Sequence, residues 1–407
     1  MNKLNISRTF IALRHPNFRL WFIGQVVSLV GTWMQSTAQG FLIYDLTKSA
    51  AFLGIVAFAG GLPTILFTLL GGVVADRISR RKLILITQSS MLVLAFTLAT
   101  LVFTHLVQPW HIIVLAFLLG VANAFDGPAR QSFIIEMVDK TDLANAIALN
   151  SMIFNLGAVI GPTIAALVYA WLGPAWCFTI NGISFVAVIS VLLIMKLPAA
   201  AIQENKVSPL VHLKEGLSFV FNEPRIRLIL LYLAILSTFG FSLLTLIPAW
   251  AVKVLNGDVR TNGMLLSARG FGALIGALMI AYIGSKKIRG KVWLSGWIFM
   301  PFVLFAFAQI SWLPASLVCL ALLGWCLMAV VNVSNALTQS YVPDHLRGRV
   351  MSVFLMVFMG GTPIGSLLIG VLASHLGEPT TVMIYGFVIL AALLGTFFFR
   401  STIKTLA

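Results

Sequence analysis

Charge is what this chain has least of. Only 10% of its 407 residues are Asp, Glu, Lys or Arg, and only 12 are acidic, where a soluble domain carries about a quarter charged. A water-facing surface of this size would need more, so an ordinary soluble enzyme or scaffold is excluded. Cysteine is scarce too. Cys177, Cys319 and Cys326 all lie inside apolar runs and suit neither a disulfide framework nor a metal site. Gly284–Lys291 spaces its glycines one residue too widely for a phosphate loop, and Val292 stands where a hydroxyl residue belongs, so no ATPase is implied. Neither a serine-nucleophile turn nor a His/Glu metal pair occurs. The expectation is a chain that is not an enzyme and takes no cofactor. Residues 1 to 18 lack an apolar core with a small-residue cleavage site, so the first apolar run is read as its own insertion signal.

What fills the space is hydrocarbon: 59% apolar residues and a mean hydropathy of +1.00. A helix needs about 20 apolar residues to cross a bilayer. Runs free of Asp, Glu, Lys and Arg join Arg19 to Asp45, Lys48 to Asp76, Lys82 to Asp126 and Asp142 to Lys196. The first two hold one span each and the next two hold two each. The second part repeats this from Arg227 to Arg400, broken by the lone Arg269. Twelve spans in two sets of six form the plan of a secondary transporter. The fold class is therefore an all-α polytopic membrane protein with twelve transmembrane helices in two pseudo-symmetric halves. The expected layout is a tail at 1–17, a six-helix bundle at 18–196 and a linker with an amphipathic helix at 197–225. A second bundle follows at 226–400, then a tail at 401–407.

The net charge of +15 orients the chain. With the amino terminus in the cytoplasm, every Lys and Arg falls inside except Lys48, Lys253, Arg260 and Arg269. This is the positive-inside pattern, and it makes nucleic acid an unsuitable partner. The expected setting is the cytoplasmic membrane with both termini inside. The partners are then the lipid bilayer and a small amphiphilic substrate, and the chain is read as monomeric.

The halves also repeat in sequence. Gly72–Lys82 aligns with Ala281–Lys291, and Gln131-Ser132-Phe133 with Gln339-Ser340-Tyr341. Gly157, Gly161 and Leu172-Gly173 align with Gly361, Gly365 and Leu376-Gly377. Three matches in order at a near-constant offset indicate duplication.

Polar residues in span 1 fall at Gln25, Ser28, Thr32, Gln35 and Gln39, one stripe of a helix. Span 10 carries Asn332, Asn335 and Gln339, and span 7 carries Thr238, Ser242 and Thr245. Span 4 adds Asn123. Uncharged amides and hydroxyls in such stripes line a path or bond between helices, and five in a row on span 1 favour lining. Trp33, Phe241 and Trp325 lie at comparable depth, where they would meet an apolar ligand or pack between helices. Asp126 and Arg130, four apart, can pair on one helix face. Asp126 is the best acidic candidate for carrying a proton. Arg269 is the second proton-coupling candidate, and it would otherwise bind an anionic group or pair with Asp45 or Asp258.

The loop after span 2, from Gly72 through Asp76, Arg77 and Arg80 to Lys82, resembles the signature loop of the major facilitator superfamily, with Ser79 where that family favours glycine. The resemblance implies a cytoplasmic latch built on Gly72, Asp76, Arg77 and Arg80, joined by Arg130, and a central path lined by spans 1, 4, 7 and 10. Gly157, Gly161 and Pro162 in span 5 resemble that superfamily's antiporter motif, with alanine at 148, 165 and 166, and imply export. Arg14-His-Pro-Asn-Phe-Arg19, Asn123–Gln131 and Asn145–Asn150 resemble the branch holding the enterobactin exporter, the macrolide efflux proteins and the transmembrane secretion effectors. Proton-driven export of drug-sized amphiphiles or siderophores follows from that resemblance. The many drug–proton antiporters with an arginine inside span 4 are not matched, because Arg130 stands at its end. A lipid flippase on the same fold and a non-transporting membrane sensor are the rival readings.

Overall fold

A computed structural model describes residues 10–196, 209–283 and 286–398. Helices account for nearly all of it. After a 3-10 turn at Ile11–Arg14, α1 runs Pro16–Thr47, α2 Ala50–Arg77, α3 Arg80–Phe103, α4 Pro109–Phe133, α5 Leu143–Leu172 and α6 Pro174–Ile194. A short amphipathic helix, α7, spans Pro209–Asn222. Then come α8 at Pro224–Val254, α9 at Val259–Ile283, α10 at Lys286–Gln309, α11 at Leu313–Tyr341, α12 at Asp344–Leu376 and α13 at Glu378–Phe398.

By length and apolarity 11 of the described helices suffice to cross a membrane. The exception is α1, long enough at 32 residues but lowered in hydropathy by Gln25, Gln35 and Gln39. Exposed Trp110, Trp171, Trp176 and Trp312 all stand at the helix ends away from the basic loops, where amphipathic rings belong at an interface. Those two sides are called here the basic end and the opposite end.

Two turns at the opposite end show the duplication in backbone form. Gly173 between α5 and α6 has φ +92°, and Gly377 between α12 and α13 has φ +82°. Side chains rarely adopt such angles, so glycine permits a one-residue reversal at both. Proline then stands in the first turn of the next helix, Pro174 at its first position and Pro379 at its second.

The described residues group into two compact units. Residues up to Gln39 and those from Leu66 through α6 form one. Gly40–Ile65 and the chain from α7 onward form the other. A division at the linker alone would have placed Gly40–Ile65 in the first. Its helix is instead seated on α12: a Cβ on Gly54 would overlap the carbonyl of Ser366, and one on Gly61 would overlap the ring of Pro363.

Inside the second unit α9 and α11 touch at glycine. A Cβ on Gly272 would overlap the carbonyl oxygen of Ala321, and one on Gly324 the carbonyl of Arg269. The core around them holds Trp250 stacked on Phe307 at 4.2 Å and Tyr232 edge-on to Trp297 at 5.0 Å. All three cysteines are free and buried. Gly272→Ala should destabilise the fold by about 1–3 kcal/mol through overpacking. Gly348→Ala, whose Cβ meets nothing within 4 Å, should not. A thiol-reactive dye melt in detergent reads both, because unfolding exposes the three buried thiols.

Candidate functional site

The most deeply buried charge stands about two turns inside the basic end of the first unit. Asp126 on α4 is fully buried. Its Oδ1 accepts from Thr87 Oγ1 at 2.7 Å and Gln88 Nε2 at 3.1 Å, both on α3. Arg130 Nε lies 2.5 Å from its Oδ2, and Arg130 Nη1 donates to Gln25 Oε1 of α1 at 2.6 Å. A carboxylate this deep persists only if paired and hydrogen-bonded. Through these bonds one carboxylate ties α1, α3 and α4 together.

The polar stripe of α1 divides with depth. Gln25, Ser28 and Gln35 are buried and serve helix packing rather than an open face. Gln35 accepts from Asn181 Nδ2 of α6 at 2.7 Å. Thr32 is exposed and Gln39 half-buried, and Ser36 joins Thr32 on the exposed side, as does Asn123 of α4. In the second unit Asn332 and Asn335 are half-buried and Gln339 is exposed, with Gln339 Nε2 donating to Asn335 at 2.6 Å. Their neighbours Ser334 and Thr338 face inward, Ser334 accepting from Trp293 Nε1 at 2.9 Å. Trp325 sits edge-on to Phe299, and Phe241 edge-on to Phe358.

Glycines of the antiporter-like motif shape a seat for Trp33. A Cβ on Gly157 would lie 2.8 Å from its ring, and one on Gly161 would overlap its Cβ, so α5 approaches α1 there. Pro162 follows, buried in the same helix. The duplicated positions do the same for α12 and α8. A Cβ on Gly361 would overlap Ser237, and one on Gly365 the carbonyl of Thr238.

Opposite those glycines α8 is not regular, which nothing in the sequence announced. Leu236–Gly240 is π-wound, Phe241–Leu246 is 3-10 and Trp250–Val254 is π again. Such winding recurs at functional sites and hinges. The hydroxyls there engage the loosened backbone and α12. Ser237 donates to Ala234 O, Ser242 to Thr238 O, Thr245 Oγ1 to Ser366 Oγ at 2.8 Å, and Tyr385 to Gly365 O at 3.0 Å.

At the α2–α3 loop Arg80 pairs with Glu136 at 2.7 Å. Asp76 and Arg77 are exposed, and Arg130 is held by Asp126 rather than at the loop. Close helix contact belongs to Gly71, whose Cβ would overlap the carbonyl of Ala124, not to Gly72, which has nothing within 4 Å. Arg269 is buried on the face of α9 that meets α11, while Asp45 is held by Lys48 at 2.6 Å and Asp258 caps the backbone N–H of Arg260 and Thr261. Two of the subfamily phrases are anchored by contacts with the chain beside them or with other segments. Asn145 accepts from Ala12 N, Arg14 and His15 both lie 2.8 Å from Asp142, and Asn17 donates to Lys196 O.

The family model described as transmembrane secretion effector matches residues 7–405. The staphyloferrin A transporter of Staphylococcus aureus is 25% identical over 373 residues, covering 90% of this chain and 92% of its own. The multidrug efflux pump Tap of Mycolicibacterium fortuitum is 28% identical over 366 residues, covering 86% and 88%. The enterobactin exporter EntS of Salmonella typhi is 26% identical over 391 residues, covering 94% and 91%. Among solved structures, the nucleoside transporter NupG aligns with TM-score 0.73 at 15% identity over 95% of this chain and 99% of its own. A bacterial homolog of the lysosomal transporter Spinster aligns with TM-score 0.70 at 13% identity over 97% and 96%. At such identity the structures share the fold alone.

Asp126→Ala should cost about 3–5 kcal/mol, since it strands a partly buried Arg130. Asp126→Ala with Arg130→Met should recover part of that loss, and the dye melt of the single and double variants measures the coupling.

Proposed function

The chain belongs to the transmembrane secretion effector family of the major facilitator superfamily, and from that membership we propose that it exports amphiphilic small molecules by proton-coupled alternating access. Transporters of this fold are not enzymes, and nothing in the proposed cycle needs a cofactor beyond a proton gradient. The relatives whose names state a cargo handle siderophores or drugs, which supports a ligand of that size and character. The exposed polar residues suit such a ligand. Thr32, Ser36, Asn123 and Gln339 offer amides and hydroxyls without charge, fit for an amphiphile but too sparse for a sugar or phosphate.

The observation that carries coupling is the buried Asp126–Arg130 pair. Asp126 takes the proton, and neutralising it frees Arg130 and loosens α1 from α4. By the positive-inside rule the basic loops are assigned to the cytoplasm, and Asp126 with them to the cytoplasmic half. Drug-sized cargo enters from that side and the proton moves inward as it leaves.

Everted membrane vesicles with an acid interior and a pH-sensitive dye test this. Dyes, macrolides and catecholate siderophores are added one at a time. At least one should trigger proton release, and Asp126→Asn should abolish it while a substitution at exposed Lys140 should not. Specific binding without release for every compound would overturn proton-coupled export and favour a flippase or a sensor.

A further inference from the structure

Three carboxylates are buried among the described residues: Asp126, Asp142 and Glu378. Glu378 is the one at the opposite end. In the sequence it is a charge in a tight turn and reads as surface. In the structure it opens α13, is 4% exposed, and its Oε1 lies 2.9 Å from Lys253 Nζ in the last turn of α8. Lys253 remains partly open to solvent, with its side chain 44% exposed.

This pair holds an unusually dependent piece of chain. The last turn of α8, Trp250–Val254, is π-wound, and the π and 3-10 stretch Leu236–Leu246 separates it from the regular part of the helix. Irregular winding weakens the internal restraint of a helix, so the position of this tip depends on what grips it. Glu378 grips it against α13. The end of α1 rests beside the same place. Gly40 packs toward Pro248, and buried Tyr44 lies within electrostatic reach of Glu378. Further along, α2 meets α12 through Gly54 and Gly61.

We infer that Glu378 is the positioning residue of an outer gate. Ionised, it holds Lys253 and the tip of α8 against α13 and keeps this end closed. Protonated from the outer face, it releases Lys253, and the tip swings on Leu236–Leu246. The gate rests on the alternating-access reading. The other acids of this end are engaged elsewhere, Asp45 by Lys48 and Asp258 by backbone N–H groups. His375, at the end of α12, is exposed.

The test uses the full chain in lipid nanodiscs with spin labels at Leu46→Cys and Ser374→Cys, both exposed at this end, the native cysteines being buried. Pulsed dipolar spectroscopy reads the distance between the tips of α1 and α12. The otherwise wild-type chain should widen on acidification. Glu378→Gln should show a several-fold larger open fraction at neutral pH and lose the acid response. Asp126→Asn should keep that response. The swap Lys253→Glu with Glu378→Lys should restore the closed distance at neutral pH, which also answers whether loss of fold explains the single variant. Widening in the wild type that Glu378→Gln leaves unchanged, or that disappears in Asp126→Asn, overturns the gate and leaves alternating access standing. A wild type that never widens, with acid or with any cargo tried, overturns both.

Discussion

Two helices in hydrocarbon gain little from burying leucine, because lipid tails are as apolar as leucine itself. Association therefore depends on how closely backbones can approach, and in this chain glycine decides that. Gly157 and Gly161 admit Trp33 to α5, Gly272 and Gly324 let α9 lie on α11, and Gly361 and Gly365 press α12 onto Ser237 and Thr238. The glycine spacing that resembles an antiporter motif is thus, at the level of contact, a flat seat for an aromatic ring. Its duplicate seats small hydroxyls. Whatever either pair contributes to transport, it acts through the distance between helix axes.

Buried charge is the second constraint, and it is met differently at the two ends. Asp126 collects two neutral donors from α3 and a guanidinium from its own helix, α4, which in turn reaches Gln25 of α1. Glu378 has one ammonium, itself partly solvated. The first is a network whose members all shift when the carboxylate changes charge. The second is a single tie on the tip of a helix already broken by π turns. A network suits a site that must couple several helices, and a single tie suits a latch.

The spans were legible because lipid forces charge out of them and the positive-inside rule sorts what remains. The reversals at Gly173 and Gly377 were legible as a repeated Leu-Gly pair. Periodicity showed which side of α1 is polar. It could not show that another helix covers Gln25 and Gln35 while Thr32 stands open, since coverage depends on neighbours at each depth. Gly71 and Gly72 are indistinguishable in sequence, and helix phase alone picks the one facing Ala124. The winding of α8 goes with local hydroxyl–backbone bonds from Ser237 and Ser242 and with the press of α12, which is long-range. Glu378 was missed because burial at a turn is set by the packing of α8 and α13, and its partner Lys253 is far away in sequence.

Duplication allows a comparison within the chain. At the offset that superimposes Gln131-Ser132-Phe133 on Gln339-Ser340-Tyr341, Asp126 falls on Ser334 and Arg130 on Thr338. Both counterparts are buried. Where Asp126 receives Thr87 and Gln88 from α3, Ser334 receives Trp293 from α10, and the loop repeat places Trp293 one turn from the counterparts of that pair. One ancestral contact between neighbouring helices has therefore become a titratable cluster in the first half and a neutral, permanent bond in the second. A neutral hydroxyl would have sufficed twice if the position served packing alone, since removing charge from a buried pair is often neutral or favourable for stability. Retention of the carboxylate in one half is the feature on which the proposed proton role rests.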